Sequence, residues 1–468
     1  DIDVKKIIMY YKDMKMIFAK GNKMKKKIMY ALMFTLICIC AIVIGKIKFS
    51  GTEKQQPSSL VSETDNLKDS ESNFVEEETE RSTQKTAEEQ EIILEKETTS
   101  ESPQTETAES QQTDLVNQID YALEKMTVEQ KVAQLFIITP DALTGITGVS
   151  AAGDATYAAL QQYPVGGLVY FENNLQSYEQ ISEMLHNVQQ YSMEISGLPL
   201  FLAVDEEGGT VARISGQGYG IEPIEDMAAV GASGDYERAQ EIGTYIGSYL
   251  SDLGFNVDFA PCADVLTNPA NTVVARRSFG SDAALVAEMT DLQRKAMEQE
   301  GIIGALKHFP GHGATSEDSH QGFAYIQKTE EELVNNEWIP FKKGIEEGAK
   351  MIMVGHIVCS EITGTEDPSL LSYYMVTEIL RQKMGFQGLV VTDALNMGAI
   401  ANYYTSAQAA VKAVQAGVDL LLMPSDFSGA YQGVLNAVYN GEISEERLNE
   451  SLYRILQVKN EMRVHGKY

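Results

Sequence analysis

The segment 307–320, with the sequence KHFPGHGATSEDSH, is the part of the chain richest in side chains that could do chemistry. It holds three of the six histidines of the chain: His308, His312 and His320. The dipeptide Pro310-Gly311 interrupts any helix, so we predict a loop. Asp318 precedes His320 by two residues, and a turn would let its carboxylate accept a hydrogen bond from the imidazole. Such a pair orients the ring and tunes its basicity near neutral pH, which predicts acid/base chemistry.

A metal site is the alternative interpretation of this segment. Its possible ligands are His308, His312, Asp318 and His320. Zinc sites with two histidines at i and i+4 hold both on one helix face, whereas the dipeptide Pro310-Gly311 separates the pair in this segment. We therefore expect no metal ion and no other cofactor.

A second candidate residue is Asp393, which directly follows the apolar, β-branched run 389–392. An aspartate at the end of a buried strand is held rigidly and points towards the space beyond the strand end. Aspartate is also a favoured N-cap of helices, where its carboxylate accepts backbone N–H groups. Taken by itself, the residue is compatible with a functional role or with a capping role.

The elements that must position these residues lie between residues 115 and 468. Eight apolar runs predict strands at 134–138, 167–171, 200–204, 257–261, 302–306, 351–354, 389–392 and 419–423. Continuous apolar strands that alternate with amphipathic helices indicate a parallel sheet covered on both faces. Eight such units predict an α/β fold, a single (β/α)8 barrel of the TIM type. An open, doubly wound sheet is the alternative, but no GxGxxG follows the first strand, which argues against a dinucleotide site.

Five of the predicted strands end in ionisable residues. These are Asp205, Asp264, Lys307 with His308, His356, and Asp393. The carboxyl ends of the strands of such a barrel meet at one face, where active sites lie. A charged group at the end of an apolar strand is costly to bury unless it is paired or used. One polar cleft explains five of them better than five separate ion pairs would.

The region 115–468 resembles glycoside hydrolase family 3, and within it the NagZ-like β-N-acetylhexosaminidase branch. The similar motifs are MTVEQKV at 126–132, VDEEGGTVAR at 204–213, RSFG at 277–280, KHFPGHG at 307–313 with DSH at 318–320, and VTD at 391–393. The segment with three histidines is the most specific of these motifs, because it separates hexosaminidases from the β-glucosidase branch.

The resemblance implies a retaining exo-β-N-acetylglucosaminidase in which Asp393 attacks the anomeric carbon and forms a glycosyl-enzyme. His320, oriented by Asp318, would protonate the leaving oxygen and then activate water, in place of the usual second carboxylate. The positions that match sugar-binding residues of the family are Asp205, Arg213, Arg277, Lys307 and His308. Thr210, where arginine is commoner, and the altered segment 273–276 leave the aglycone preference open.

Other functions are also compatible with these residues. A phosphorylase is one, because a histidine in place of a carboxylate would not repel an anionic acceptor. A broader β-glycosidase is another, and a catalytically silent, displayed glycan-binding receptor is a third. The retention of Asp393, Asp318 and His320 together favours the enzyme. We expect a monomer that acts on glycans containing N-acetylglucosamine, such as peptidoglycan fragments.

The N-terminal part of the chain predicts a membrane anchor followed by a spacer. Residues 1–49 are rich in lysine and contain an uncharged apolar run at 28–45, which is long enough to cross a bilayer. The lysines before this run favour a cytoplasmic N-terminus and a catalytic domain outside the cell membrane. A cleaved signal peptide and a secreted enzyme are the alternative. Residues 50–114, dominated by Glu, Ser, Thr and Gln, predict a disordered acidic linker.

Charge and cysteine content exclude other classes. The formal net charge of −30 argues against nucleic-acid binding, because DNA and RNA repel an acidic protein. The four cysteines are Cys38, Cys40, Cys262 and Cys359. Their spacing is typical of neither a disulfide framework nor a CxxC metal site.

Overall fold

A computed structural model of the protein describes residues 108–315 and 322–464. The predicted anchor at 28–45 and residues 50–107 of the predicted linker lie outside the described residues. Among the helices that are described, none combines the length and the apolar character needed to cross a membrane. The first described helix begins at Ala108, before the start of the folded region predicted at residue 115.

Eight parallel strands of the described residues form one sheet, which closes into a barrel. They are β1 Phe136–Ile138, β2 Gly167–Val169, β3 Phe201–Val204, β4 Val257–Asp258, β5 Ile303–Phe309, β7 Met351–Val354, β9 Leu389–Thr392 and β10 Leu421–Leu422. Their order is β10-β1-β2-β3-β4-β5-β7-β9. A parallel bridge between Val391 and Leu420 joins the two outer strands and closes the barrel. A separate small sheet pairs β6 Ala324–Tyr325 with β8 Ile357–Val358 in parallel.

Helices follow the strands along the chain. They are α1 Ala108–Lys125, α2 Val128–Ala133, α3 Pro140–Thr144, α4 Asp154–Gln162, α5 Tyr178–Ser196, α6 Met227–Ser233, α7 Tyr236–Leu253, α8 Ala283–Gln299, α9 Glu330–Val334, α10 Ile339–Glu346, α11 Ser360–Thr363, α12 Gly398–Ala401, α13 Ser406–Ala416, α14 Phe427–Tyr439 and α15 Glu445–Val464. A π-helix spans Tyr374–Lys383. Short 3-10 turns span Glu172–Asn174, His312–Ala314 and Ser369–Leu371.

The sequence explains where several of these elements begin and why they pack. Thr127 and Gln130 form a capping box at the start of α2, and Thr405 and Gln408 form another at the start of α13. All residues of the barrel strands are buried, because one face of each strand points into the barrel and the other contacts the helices. This burial accounts for the continuous apolar runs in the sequence.

All eight predicted strand positions contain a strand of the barrel, so the predicted parallel α/β barrel of the TIM type is confirmed. The structure differs in one place that concerns the site. β5 continues to Phe309, so that Lys307 and His308 belong to a strand rather than to the predicted loop. The small sheet of β6 and β8 was not predicted, because two residues per strand are too few to produce a recognisable pattern.

Candidate active site

A cavity of about 300 Å³ opens at the carboxyl ends of the barrel strands. Its ionisable lining residues are Asp205, Glu207, Arg213, Arg277, Lys307, His308, His312 and Asp393. Apolar side chains such as Phe171, Met353, Met397 and Met423 line the rest. The structure therefore brings Asp393 and all five predicted sugar-binding residues to one cavity.

A larger groove of about 1030 Å³ lies elsewhere, between α1 and α15. It is lined by acidic side chains such as Asp120 and Glu445 and contains none of the predicted site residues. Size alone would favour this groove. We place the site in the smaller cavity because its ionisable groups converge there at the strand ends, where barrels of this type carry their active sites.

Asp393 directly follows β9 and is fixed by its backbone and its side chain. Its N–H donates to the carbonyl of Val354 at the end of β7 (2.9 Å), and its Oδ1 accepts the N–H of Ala394 (2.7 Å). Its Oδ2 lies 3.9 Å from Nε2 of His356, which donates to the carbonyl of Ala394. The next helix, α12, begins only at Gly398 with Met397 as N-cap. The structure therefore does not support a helix-capping role for Asp393.

The surroundings of Asp393 favour its ionised form. Burial alone would raise the pKa of this carboxyl. The neighbouring imidazoles of His356 and His308, the N–H of Ala394 and the ammonium of Lys307 outweigh burial and hold the pKa below its ordinary value. A carboxylate that stays ionised at neutral pH can act as a nucleophile.

A buried network of charges lies beside Asp393. The Nζ of Lys307 contacts Oδ1 of Asp205 (2.9 Å) and Oε1 of Glu207 (2.7 Å). Arg277 grips the same Glu207 with two hydrogen bonds, from Nε (2.7 Å) and from a terminal nitrogen (2.6 Å). Although burial raises the pKa of Glu207, the charges of Arg277 and Lys307 lower it to about 2. The network holds both cationic heads in fixed positions.

The ring of His308 is held from below by Asp264. Its Nδ1 lies 2.7 Å from Oδ2 of this carboxylate, and Oδ1 accepts the backbone N–H groups of His308 (3.2 Å) and His312 (2.6 Å). Burial opposes ionisation of Asp264, but the two histidines and these hydrogen bonds hold its pKa well below the usual range. Asp264 thus orients a predicted sugar-binding residue.

Lys307 and His308 are neighbours in β5, yet both line the cavity. Successive side chains of a regular strand point to opposite faces of the sheet. The pairing of β5 with β7 shifts register between Leu306 and Phe309, an irregularity of the β-bulge kind. Such an irregularity re-aims side chains, and here it lets two adjacent residues reach the same site.

The family model described as glycosyl hydrolase family 3 N terminal domain matches residues 127–458. The chain belongs to glycosyl hydrolase family 3. The resemblance found in the sequence motifs is therefore confirmed.

Relatives and solved structures agree with this membership. Beta-hexosaminidase A of Pseudoalteromonas piscicida is 33% identical over 328 residues, which cover 65% of this chain and 54% of that protein. Beta-hexosaminidase LpqI of Mycobacterium tuberculosis is 29% identical over 343 residues, which cover 70% of this chain and 82% of that protein. The structure of a family 3 beta-N-acetylglucosaminidase from Paenibacillus sp. str. FPU-7 is 35% identical, with a TM-score of 0.68, and the match covers 73% of this chain and 64% of that one. The present chain spans about half the length of the Pseudoalteromonas protein.

Two of the predicted catalytic residues, His320 and Asp318, lie outside the described residues, and their roles stay predictions. The described part of the same segment is packed against the loop that follows β4. The carbonyl of His312 accepts a hydrogen bond from Nδ2 of Asn271 (2.8 Å). A Cβ atom on Gly313 would lie 2.0 Å from the carbonyl oxygen of Val265, so only glycine permits this close approach.

Arg213, another predicted sugar-binding residue, lies at the edge of the cavity. Its guanidinium lies over the ring of Phe171, 5.7 Å from the centroid, and contacts Oε1 of Glu172 (3.3 Å). Its side chain is 25% exposed, whereas that of Arg277 is largely buried. The two arginines of this family 3 site therefore have different surroundings, one at the rim and one in the interior.

Within the described residues, one group of side chains has the composition of a metal site: Cys262, Asp264 and His308. Its geometry is that of a hydrogen-bonded chain. Nδ1 of His308 and Oδ2 of Asp264 are only 2.7 Å apart, and the thiol of Cys262 donates to the same oxygen (3.3 Å). Burial raises the pKa of the Cys262 thiol, which disfavours the thiolate that a metal requires. These three residues do not fit a metal ion, and the absence of a metal requirement stays a prediction.

Glu207 was missed as a member of the site, and Asp264 was placed in the predicted polar cleft without a role. Both contact predicted sugar-binding side chains, and neither was assigned to substrate binding or catalysis. A signal for Glu207 was present, because residues two apart at a strand end point the same way and Asp205 was already a candidate. For Asp264, the signal was its position after a predicted strand, which alone does not distinguish a partner of His308 from a sugar ligand.

Proposed function

We propose that the protein is a retaining exo-β-N-acetylglucosaminidase, which removes terminal N-acetylglucosamine from glycans such as peptidoglycan fragments. The observation that carries the proposal is the carboxylate of Asp393, whose pKa its neighbours lower, in a cavity with the fixed polar heads of Asp205, Lys307 and Arg277. Relatives named beta-hexosaminidase and beta-N-acetylglucosaminidase support it.

In the first step, the sugar hydroxyls bind to the fixed charges of the cavity, and Asp393 attacks the anomeric carbon. Because Oδ1 accepts the N–H of Ala394, we assign the attack to Oδ2. The bond to the leaving oxygen breaks as the bond from Oδ2 to the anomeric carbon forms. His320, oriented by Asp318, gives its proton to the leaving oxygen. The product is a covalent glycosyl-enzyme.

In the second step, His320 removes a proton from water, whose oxygen attacks the same carbon. The bond to Oδ2 of Asp393 breaks, the carboxylate is restored, and the sugar leaves with retained configuration. The low pKa of Asp393 helps here, since a weakly basic carboxylate is a good leaving group. Two successive displacements thus need one nucleophile and one group that alternates between acid and base.

The decisive experiment separates the two steps. In His320→Ala, a 4-nitrophenyl N-acetylglucosaminide should still form the glycosyl-enzyme, because a nitrophenolate departs with little protonation. The second step should be slower by about 10²- to 10⁴-fold, so the intermediate accumulates. Mass spectrometry should find one N-acetylglucosamine on the peptide that contains Asp393, and Asp393→Ala should carry none.

Two results would contradict the mechanism: an adduct on another residue, or wild-type turnover of a natural disaccharide by His320→Ala. The same assay, run with and without inorganic phosphate, separates hydrolysis from phosphorolysis. A glycosyl phosphate as the main product would show that phosphate, and not water, attacks the glycosyl-enzyme in the second step. A chain that binds the sugar but turns over none of these glycosides would be a receptor.

We further propose that the run 28–45 anchors the chain in the cell membrane, with residues 50–107 as a spacer that ends where α1 begins and the barrel outside as a monomer. The lysine-flanked apolar run and the polar composition of the spacer support this arrangement. Protease added to intact cells should release an active fragment of the barrel. Release only after cell lysis would place the barrel inside, and release without protease would indicate a cleaved signal.

A further inference from the structure

Two aromatic side chains stack on each other outside the cavity. The rings of Phe323 and Tyr403 have centroids 4.4 Å apart and planes inclined by 18°. Tyr403 is 60% exposed, and Tyr325, which follows Phe323 by two residues, is 38% exposed. Partly exposed rings that stack on each other offer a flat apolar surface to a ligand.

The chain path places Phe323 near the proposed nucleophile. Ala324 in β6 is paired with Ile357 in β8. Ile357 directly follows His356, whose Nε2 lies 3.9 Å from Oδ2 of Asp393. Adjacent Cα atoms are about 3.8 Å apart and paired strands about 4.8 Å, so the Cα of Phe323 lies within about 12 Å of that of His356.

A second path places Tyr403 at the same edge. Met397 lines the cavity and is the N-cap of α12. Beyond α12 the chain continues in a helical turn, in which the N–H of Tyr403 donates to the carbonyl of Ile400 (2.9 Å). Six residues of helical rise amount to about 9 Å, so the Cα of Tyr403 lies about 10 Å from that of Met397, which lines the cavity.

The turn that carries Tyr403 is fixed. The hydroxyl of the next residue, Tyr404, donates to Oδ1 of Asp367 (2.8 Å), and Lys412 contacts the same carboxylate (3.1 Å). A ring held on a fixed turn loses little conformational freedom when a ligand covers it, which favours binding. The exposed ring is therefore prepared for a flat ligand.

We propose that the Phe323–Tyr403 stack binds the leaving-group sugar, the first sugar beyond the bond that is cleaved. This inference rests on the proposed function. The acid/base must touch the leaving oxygen, and three residues of chain from His320 to Phe323 span at most about 11 Å, so the leaving sugar must lie near Phe323. The C–H groups on the face of a pyranose form an apolar surface, which an aromatic ring covers well. The stack would therefore select substrates with a sugar, rather than a small group, on the leaving side.

The experiment compares two substrates and two variants. The substrates are the β-1,4-linked disaccharide of N-acetylglucosamine and N-acetylglucosaminyl fluoride, which has no ring on the leaving side. In Tyr403→Ala, kcat/KM for the disaccharide should fall about five- to tenfold, the loss expected for a removed ring contact. The fluoride should react at the wild-type rate. Tyr403→Phe, which keeps the ring, should match the wild type on both substrates.

Two outcomes would overturn the proposal. An equal loss on both substrates would mean that the stack supports the reacting centre instead of the leaving sugar. An unchanged disaccharide rate would mean that the Phe323–Tyr403 stack binds something else, such as a protein surface. If the wild type reacts with neither substrate, the proposed function itself fails. Fluoride hydrolysis that disappears in Asp393→Ala keeps that function and confines the test to the stack.

A second measurement needs no variant. With the fluoride as donor, the glycosyl-enzyme can pass its sugar to an acceptor bound on the leaving side. The wild type should transfer to the disaccharide in several-fold preference to glycerol at the same concentration, because glycerol has no ring to stack. Equal transfer to both acceptors would overturn the proposal, even if Tyr403→Ala failed to fold.

Discussion

The two cationic side chains in the interior of the cavity, Lys307 and Arg277, share a buried partner of opposite charge. Glu207 neutralises Lys307 and Arg277 together, and Asp264 fixes the ring of His308. The predicted sugar-binding side chains are therefore positioned before substrate arrives, which lowers the entropy cost of binding. Asp393 is a largely buried anion instead, and the nearby ammonium and imidazole groups favour its ionised form.

The pH dependence of kcat/KM should show that Asp393 stays ionised to low pH. The nucleophile must be ionised, and its pKa lies below the ordinary value of 3.8, so activity is lost only as pH falls through that lower pKa. The first step uses the protonated histidine, so protonation of His320 does not contribute to the acid limb on an aryl glycoside. His356→Gln keeps a donor to Ala394 but removes the imidazole, and it should move this limb to higher pH. An acid limb above pH 4 in the wild type would contradict this assignment.

Glu207→Gln tests the buried partner. The change removes the buried carboxylate charge that Arg277 and Lys307 share and leaves Lys307 only Asp205 as a partner, which should cost about 3–5 kcal/mol of folding free energy. Glu207 has a folded pKa of about 2 against 4.5 for the free side chain, so its contribution is complete above pH 4.5 and disappears as pH falls through 2. The variant should lack this acid-dependent loss in urea unfolding measured at several pH values. Glu225→Gln, at an exposed pair with Arg238, should cost at most about 1 kcal/mol.

The sequence predicted the positions of site residues that follow a strand, whereas their proposed roles came from the resemblance to the family. Asp205, Lys307 and Asp393 follow apolar runs, and the strand pattern suffices to bring them to one face. Glu207 and Asp264 could not be assigned in this way, because their role depends on which cation or ring lies within 3 Å of them. That information comes from packing and not from residue type.

At the scale of elements, the pattern of apolar runs located all eight strands of the barrel, because each is buried on both faces. The register shift in β5 could not be predicted, since it depends on how the strand pairs with β7. This register shift matters for the site, because it turns both Lys307 and His308 into the cavity. The small sheet of β6 and β8 could not be predicted from the sequence either, yet it brings Phe323 towards the site.

Gly313→Ala tests how the segment after β5 is attached. The added Cβ would meet the carbonyl oxygen of Val265 at 2.0 Å, and this neighbour is backbone, so the segment must move. We expect a loss of about 1–3 kcal/mol of stability. A displacement of about 1 Å in a catalytic segment can lower kcat/KM about 100-fold.

Gly322→Ala is the matched control for stability, because nothing lies within 4 Å of its added Cβ. It should keep the wild-type melting temperature in the same thermal scan. If both variants melted alike, the close approach at Val265 would not hold the segment.

At the scale of the whole molecule, the two ends of the barrel carry different structural features. The carboxyl end carries the charged cavity, whereas α15, which packs against α1, contacts residues at the amino end of the strands. Lys459 of α15 is buried there, with its Nζ bonded to Oε1 of Gln134 (2.8 Å) and facing the ring of Phe201 at 5.0 Å. The segment that begins at Ala108 is thus part of the folded domain, and any spacer must end before it.

The buried lysine predicts an alkaline rise in global stability. Burial lowers the pKa of Lys459 to about 7, against 10.5 for the free side chain. Between these two values the unfolded chain binds a proton that the folded chain does not, so the free energy of unfolding rises with pH across this window, by up to roughly 5 kcal/mol. Below pH 7 both states are protonated, and the full cost of the buried charge is present. Urea unfolding of Lys459→Met from pH 7 to 10 should lack this rise, whereas Lys342→Met, at an exposed position, should retain it. Parallel profiles for the wild type and Lys459→Met would show that the folded state keeps Lys459 charged throughout.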